Sequence, residues 1–307
     1  MRGGIGLIIM AMSLTPVLDA VAKELGRDHA PIVICLARYL SSGLIALVLA
    51  RIMGERVRLR AGDLPGHLLR AALMIGAMVA FVTALSMVPM ADAVGGFLIA
   101  PMVATGLSVL LLGEVATPRK ILGGLLSLLG AVIITRPGLG LQAGTLLALA
   151  GGVLLGCYFT ASRAAADNGG VTGRMAIEAL AGAALIAPAA ISEGLPAIGG
   201  AFLAWVAVLG LVSAAYHVLT LLAFRRSPAA ELAPFMYCNL LVAVALGVLV
   251  FGEIPGPATL AGLGAILAGG LVTALTPLQI AALRGLALRL SRQPVPAAAS
   301  RRFSVTA

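Results

Sequence analysis

Long apolar stretches alternate with short charged segments along the whole chain. Ten of these stretches are long enough to cross a bilayer, which takes about 20 mostly apolar residues. Their expected limits are 5–22, 31–50, 66–86, 91–112, 119–136, 143–162, 174–192, 201–223, 229–251 and 258–278. Because a helix satisfies its backbone hydrogen bonds within its own segment, the pattern predicts an all-α integral membrane protein with ten transmembrane helices.

The composition supports a protein whose surface faces lipid. Of the 307 residues, 61% are hydrophobic and 11% are charged, whereas a water-soluble domain carries roughly a quarter of charged residues. The net charge of +9 does not indicate nucleic-acid binding, since the basic residues lie in short loops and in the tail, and aromatic residues make up only 4%. No nucleic-acid partner is therefore expected.

A fixed sequence offset relates the two halves of the chain. The matched residues of the first half include Ala91, Asp92, Gly113, Glu114, Pro118, Gly123 and Gly130, which return at a constant spacing as Ala230, Glu231, Gly252, Glu253, Pro257, Gly262 and Gly269. Each half holds five predicted spans, and two odd-numbered copies in tandem insert in opposite directions, as in inverted-repeat transporters. We expect a first repeat at 1–138, a second at 139–280 and a basic, disordered cytoplasmic tail at 281–307.

The distribution of basic residues predicts the orientation in the membrane. With a cytoplasmic N-terminus, 17 of the 21 Lys and Arg residues, Arg70 among them, fall on the cytoplasmic side. Three fall on the opposite side, and Arg38 lies within a span. Since cytoplasmic loops are enriched in Lys and Arg, both termini are expected in the cytoplasm. The same topology puts Glu114 at the cytoplasmic face and Glu253 at the outer face.

Two related segments carry a resemblance to a known family. The run from Leu111 through Gly113-Glu114 to Pro118, Gly123 and Gly130, and the run from Phe251 through Gly252-Glu253 to Gly269, resemble the ends of two EamA repeats. The chain thus resembles an EamA-type transporter of the drug/metabolite transporter superfamily. The resemblance implies a ten-helix bundle that moves small polar metabolites. It also implies a central cavity lined by both halves, with spans five and ten more peripheral.

The two Gly-Glu pairs are expected to have a structural role. They lie at opposite membrane faces, so one cavity cannot use both. Gly113 and Gly252 are expected to end their helices, because glycine adopts the left-handed conformation that a helix end needs. Glu114 and Glu253 are then expected to form local pairs.

No motif for bond-breaking chemistry is present. The sequence contains no His-Glu-x-x-His, Gly-x-Ser-x-Gly or P-loop motif. Its three cysteines fall in separate apolar stretches without metal-ligand spacing, and His29 and His67 are expected in loops. We therefore predict no enzyme, no catalytic residues, no metal site and no cofactor.

Polar side chains inside predicted spans are the candidate substrate-binding residues, because such groups are costly in lipid and mark solute pathways. They are Asp19, Arg38, Tyr158, Glu178, Tyr216, His217, Tyr237 and Asn239.

Several of these residues have a structural alternative. Asp19 either binds a cationic group or a coupling proton, or it pairs with Lys23 one helical turn later. Arg38 either anchors a carboxylate or phosphate through two hydrogen bonds, or it extends to the outer surface. Glu178 falls in the region of the second half that matches Arg38. As the alternative to a pair with Arg38 or a role in solute binding, Glu178 pairs with Arg174 one turn earlier.

The remaining candidates are also open to two interpretations. His217 lies deep in an apolar stretch beside Tyr216, where it either accepts a coupling proton or donates one hydrogen bond to a neighbouring helix. Tyr158, Tyr237 and Asn239 offer ring faces and an amide to a flat or amino-acid-like solute. The alternatives are interfacial anchoring for the tyrosines and a helix–helix hydrogen bond for Asn239.

These observations predict a secondary transporter of the bacterial inner (cytoplasmic) membrane. It would export a small polar, amino-acid-like solute by alternating access, with the lipid bilayer, the solute and a coupling proton as partners and a monomer or homodimer as its assembly. The alternative is an importer of a larger solute such as riboflavin or S-adenosylmethionine.

Overall fold

A computed structural model describes residues 2–55, 57, 61–113, 115, 117–135, 142–164, 171–196, 199–227, 232, 235 and 237–274. Within these residues the chain forms helices and turns and no strand, which confirms the all-α prediction. The helices are α1 (Arg2–Leu25), α2 (Pro31–Ile52), α3 (Leu64–Met87), α4 (Met90–Phe97), α5 (Ala100–Leu112), α6 (Pro118–Thr135), α7 (Ala143–Ala164), α8 (Val171–Ser192), α9 (Gly200–Arg226), α10 (Cys238–Phe251) and α11 (Pro257–Ala274).

Seven segments of the described chain are long and apolar enough to cross a membrane, taking α4 and α5 together as one segment. Three shorter apolar helices, within α6, α10 and α11, coincide with the other predicted spans. Apolar side chains also remain on the outside of the bundle: Leu110, Leu249 and Ile254 are 79%, 81% and 85% exposed. Such a surface is stable against lipid and not against water.

The fourth predicted span is not continuous. The sequence predicts one helix over 91–112, whereas the structure contains two, with a break at Leu98 and Ile99. Proline lacks an N–H, and its ring clashes with the carbonyl four residues earlier, which for Pro101 is that of Phe97. The new helix starting at Ala100 places Pro101 in its first turn, where no N–H is required.

Parts of three predictions lie outside the described residues. The ninth span was predicted over 229–251, but α10 begins at Cys238, so Tyr237 precedes this helix, and residues 228–231 are not described. The described part of the tenth span ends at Ala274. Glu114, Glu231 and the predicted tail 281–307 also lie outside the described residues.

The packing of helices follows an approximate two-fold relation between the two halves. Helix α2 packs on its counterpart α8, and α6 packs on its counterpart α11. Helix α1 also packs on α9, and α3 packs on α7, and exchanging the halves turns each of these two contacts into the other. The contacts of α5 with α7 and of α1 with α10 are related in the same way. Both repeats therefore use the same surfaces to form one bundle.

The closest approach between the halves is a crossing of α6 and α11 through four glycines. Gly130 faces Gly262, and a Cβ atom added to Gly130 would lie 2.5 Å from the Gly262 carbonyl oxygen. Gly123 faces Gly269 in the same way. The N-terminal part of α6 thus meets the C-terminal part of α11, so these counterparts run antiparallel. Only glycine permits this distance between backbones.

The glycines of the Gly-Glu pairs end their helices as predicted. Gly113 and Gly252 follow α5 and α10 with φ of +66° and +68°, a left-handed conformation that glycine adopts without steric cost. The prediction that Glu253 pairs locally is wrong, because its Oε1 lies 2.6 Å from Lys23 Nζ on α1. Its Oε2 accepts a hydrogen bond of 2.8 Å from the Met90 N–H at the start of α4. Glu253 thereby links the end of α10 to α1 and to α4.

Substitution at the glycine crossing tests the antiparallel contact. In Gly262→Ala the added methyl group would meet the Gly130 carbonyl at 2.6 Å and Ile134 at 2.5 Å. We expect the free energy of unfolding to fall by about 1–3 kcal/mol because the helices must separate. Gly264→Ala, two residues along α11, meets no atom within 4 Å and should be neutral or slightly stabilising. Thermal unfolding of both variants in detergent measures this, and equal melting temperatures would contradict it.

Candidate functional site

A cavity of about 620 Å³ opens inside the bundle. Residues of α1, α2, α3, α4, α5, α7, α8, α9, α10 and α11 line it, so both repeats contribute to its wall. Helix α6 supplies none of the lining residues, as expected for a peripheral span, but α11 supplies Gly270 and Thr273. The expectation that the tenth span is peripheral is therefore wrong for this face of α11.

All eight candidate residues lie on the wall of this one cavity. They come from α1, α2, α7, α8, α9, the turn before α10 and α10 itself, and they are Asp19, Arg38, Tyr158, Glu178, Tyr216, His217, Tyr237 and Asn239. The tertiary structure thus brings together polar groups from the first helix to the tenth, which are far apart in sequence.

Asp19 and Arg38 form an ion pair between α1 and α2. Arg38 Nη1 donates to Asp19 Oδ1 at 3.3 Å, and both side chains are almost fully buried from solvent, with exposures of 11% and 7%. The two structural alternatives are not observed: Lys23 pairs with Glu253, and the guanidinium of Arg38 lies on the cavity wall instead of reaching the surface.

Glu178 is held by residues from two other helices. Arg70 Nε donates to Glu178 Oε1 at 2.6 Å, and Tyr158 Oη donates to Oε2 at 3.1 Å. Arg70 and Glu178 are each only 6% exposed. A buried carboxylate is stable when a countercharge and hydrogen bonds replace its water, and Glu178 has both.

Arg70 and His67 lie inside the bundle. The sequence places Arg70 in a cytoplasmic segment and His67 in a loop, whereas both are buried on α3. Arg70 Nη2 lies 2.9 Å from His67 Nδ1. Because a guanidinium has only donors, Nδ1 must accept this bond, which puts the proton of a neutral His67 on Nε2. Two polar residues three apart within the predicted span 66–86 share one helix face, a signal that could have identified them.

The contacts of Asp19 and Glu178 occupy equivalent places in the two repeats. The offset that relates the two halves carries Asp19 onto Tyr158, and it carries Arg38 to the position directly before Glu178. The Asp19–Arg38 contact between the first two helices therefore corresponds to the Tyr158–Glu178 contact between α7 and α8. The second repeat lacks an arginine at the Arg38 position, and Arg70 supplies the positive charge from α3.

Helix α9 adds a polar strip to the wall. The hydroxyl groups of Ser213 on α9 and Ser42 on α2 are 3.0 Å apart. One turn further along α9, the rings of His217 and Tyr216 lie with their centroids 5.0 Å apart and their planes inclined by 60°. Among the described residues no hydrogen bond reaches the His217 ring, so its nitrogen atoms are free for a solute or a proton.

Tyr237 and Asn239 line the cavity at the start of α10. The ring of Tyr237 lies against Gly270, where a side chain would leave no room for it. The Oδ1 atom of Asn239 is buried without a hydrogen-bond partner in the described part of the chain. An acceptor of this kind is costly while it stays unpaired, and it gains most from a donor that enters the cavity.

The rest of the wall is mostly apolar. Met12, Met74, Met78, Phe81 and Phe97 line it, and the break between α4 and α5 faces it through Leu98. Such a wall accepts the hydrocarbon part of a solute, while a few polar groups fix its orientation. Within the described residues, no three His, Cys, Asp or Glu side chains are close enough to hold a metal ion together.

Replacing Arg70 tests the countercharge of Glu178. Arg70→Met leaves the carboxylate buried and unpaired, so we expect the free energy of unfolding to fall by about 3–5 kcal/mol. The double variant Arg70→Met/Glu178→Gln leaves no unpaired charge and should regain more than half of that loss.

Thermal unfolding of the full chain in detergent measures both variants. Arg27→Met is the control, because it removes an exposed pair with Glu24 and should cost at most about 1 kcal/mol. A double variant less stable than Arg70→Met alone would contradict the role of Arg70 as countercharge.

Comparisons with known proteins agree with this architecture. The sequence profile of the EamA-like transporter family matches residues 2–136 and again residues 142–275. Among 21 matching solved chains, one described only as "Crystal structure of protein" has a TM-score of 0.62 and 24% identity, covering 94% of this chain and 99% of that chain. That likeness supports the fold alone, and no curated protein matches. The chain is a multi-pass membrane protein with two EamA repeats, and it belongs to the EamA-like transporter family.

Proposed function

We propose that the protein is a secondary transporter that exports a small polar, amino-acid-like solute by alternating access. The observation that carries the proposal is the cavity of about 620 Å³ between two antiparallel repeats, with polar groups from both repeats on its wall. A binding site at the interface of inverted repeats can open to either membrane face when one repeat rocks against the other.

The chemistry of the wall supports solute binding in place of bond breaking. Its charged groups are paired, Asp19 with Arg38 and Glu178 with Arg70, so the empty cavity holds no uncompensated charge from these residues. Paired groups orient a polar solute, whereas an enzyme needs an acid, a base or a nucleophile poised to react. The proposal therefore assigns the cavity to transport and to no catalytic step.

A solute or proton gradient supplies the energy in this proposal. His217 is the candidate for the coupling proton, since its ring lies on the wall and receives no hydrogen bond from the described residues. The alternative, import of a larger solute such as riboflavin or S-adenosylmethionine, uses the same cavity, whose volume lies within the range of about 300–1,000 Å³ for small-molecule sites. The transporter would act as a monomer or homodimer.

The proposed location is the bacterial cytoplasmic membrane, with both termini in the cytoplasm. The excess of Lys and Arg in the loops on the side of the N-terminus supports this orientation. This orientation puts the contacts of Glu253 with Lys23 and with the first residue of α4 at the outer face.

Transport assays with purified protein in liposomes test the function. The parent chain should move at least one labelled solute from a panel of amino acids, riboflavin and S-adenosylmethionine faster than empty liposomes do. His217→Ala should lower that rate about tenfold or more, because it removes a polar group from the wall. His29→Ala, which removes a histidine outside this cavity, should leave the rate within about twofold. A parent chain that moves no member of the panel would refute the proposal for these solutes.

Cysteine labelling in intact cells tests the orientation. In a chain with Cys35, Cys157 and Cys238 replaced by Ala, a cysteine at Asp28 should react with a membrane-impermeant maleimide added outside. A cysteine at Ser300 should react only after the cells are opened. The reverse pattern would place the termini outside and contradict the proposed topology.

A further inference from the structure

Two buried arginine–carboxylate pairs are found among the described residues, and they differ in how firmly they are held. Arg70 Nε lies 2.6 Å from Glu178 Oε1, but Arg38 Nη1 lies 3.3 Å from Asp19 Oδ1. Hydrogen bonds between such ionised groups normally measure about 2.7–2.9 Å. The contact between Asp19 and Arg38 is longer than this range, so it is the pair that a solute separates more easily.

The two pairs also differ in their access to the cavity. Asp19 and Arg38 both belong to the cavity wall. Arg70 does not line the cavity and meets Glu178 from the side of α3. A solute in the cavity can therefore contact both members of the first pair but only the acidic member of the second.

Asp19 and Arg38 keep unused capacity for hydrogen bonds. A guanidinium has five N–H donors, and the described residues give the Arg38 side chain one hydrogen bond, to Asp19. Asp19 Oδ2 receives no hydrogen bond from the described residues, whereas both oxygens of Glu178 are engaged. An incoming ligand can thus bind either residue before the ion pair opens.

Electrostatics restricts which solute can separate this pair. Removing one member of a buried ion pair leaves the other charge without compensation, which is strongly unfavourable. A solute with only a carboxylate would bind Arg38 and leave Asp19 unpaired. A solute with only an ammonium group would leave Arg38 unpaired. A solute that carries both charges a few ångströms apart compensates both residues at once.

We propose that Asp19 and Arg38 form an exchangeable ion pair that selects dipolar solutes. The solute's carboxylate replaces Asp19 on Arg38, and its ammonium group replaces Arg38 on Asp19. This rests on the proposed function, because it uses the same cavity. The methionine and phenylalanine side chains of the wall receive the remaining, apolar part of the solute. Binding changes neither the net charge of the site nor its number of protons.

A set of three related ligands tests this selectivity on the purified full chain in detergent. The probes are leucine, leucinamide, which lacks the carboxylate, and N-acetylleucine, which lacks the ammonium group. Methionine and phenylalanine with their own amides and N-acetyl derivatives repeat the comparison. Isothermal titration calorimetry should show each amino acid binding about tenfold or more tightly than either of its derivatives, with no proton uptake when buffers of different ionisation enthalpy are compared.

Two variants should change the preference in opposite directions. In Asp19→Asn the carboxylate that receives the ammonium group is lost, so the N-acetyl derivative should bind within about threefold of its amino acid. In Arg38→Gln the guanidinium that receives the carboxylate is lost, so the amide should bind within about threefold of its amino acid. Melting temperatures of the ligand-free variants report whether they fold. If a single variant does not fold, the double variant Asp19→Asn/Arg38→Gln, which leaves no charge unpaired, provides the folded comparison.

Other outcomes would overturn the inference. These are equal affinities within each set for the parent chain, binding of the N-acetyl derivative with uptake of one proton, variants that weaken all three ligands equally, or no binding of any probe. Transport of any panel solute in liposomes would still support the proposed function in each of these cases. The two proposals therefore fail on different measurements.

Discussion

The burial of charge inside an apolar bundle is the constraint on which this structure depends. A charge inside a lipid-embedded protein needs a partner close by, and the partners here come from different helices. Asp19 meets Arg38 across α1 and α2, Glu178 meets Arg70 across α8 and α3, and Lys23 on α1 meets Glu253, two residues after α10. Each pair links two helices of the bundle.

These pairs form within a bundle that is built from the two repeats. Counterpart helices pack on each other or exchange partners, and the glycine crossing of α6 and α11 brings the two halves into antiparallel contact. The two-fold relation between the repeats is only approximate at the polar residues of the cavity. The first repeat pairs an acid with an arginine, whereas the second pairs Tyr158 with Glu178 and takes its positive charge from the first repeat. Two halves with one architecture therefore present different groups to a solute.

Much of the fold could be predicted from sequence because the signals are local. Apolar stretches of membrane-spanning length predict helices, and the fixed offset predicts the repeat. The glycines at 113 and 252 predict helix ends, since a left-handed residue is needed there. Pro101 indicates a kink in the fourth span but does not by itself predict the break at Leu98, because proline also occurs within intact transmembrane helices. The candidate residues were found by a similar rule, that polar groups within apolar spans are rare and costly.

The sequence alone thus predicts the membrane class, the family, the repeat and eight of the polar residues on the cavity wall. The partners of the charged residues depend on the tertiary structure: Arg38 and not Lys23 for Asp19, Arg70 for Glu178, and Lys23 for Glu253. Neighbours along a helix can be read from their spacing, but contacts between helices depend on how two antiparallel repeats rotate and pack. Arg70 and Glu178 are far apart in sequence, and no local pattern predicts their contact. The contact forms only when α3 and α8 have assembled around the cavity.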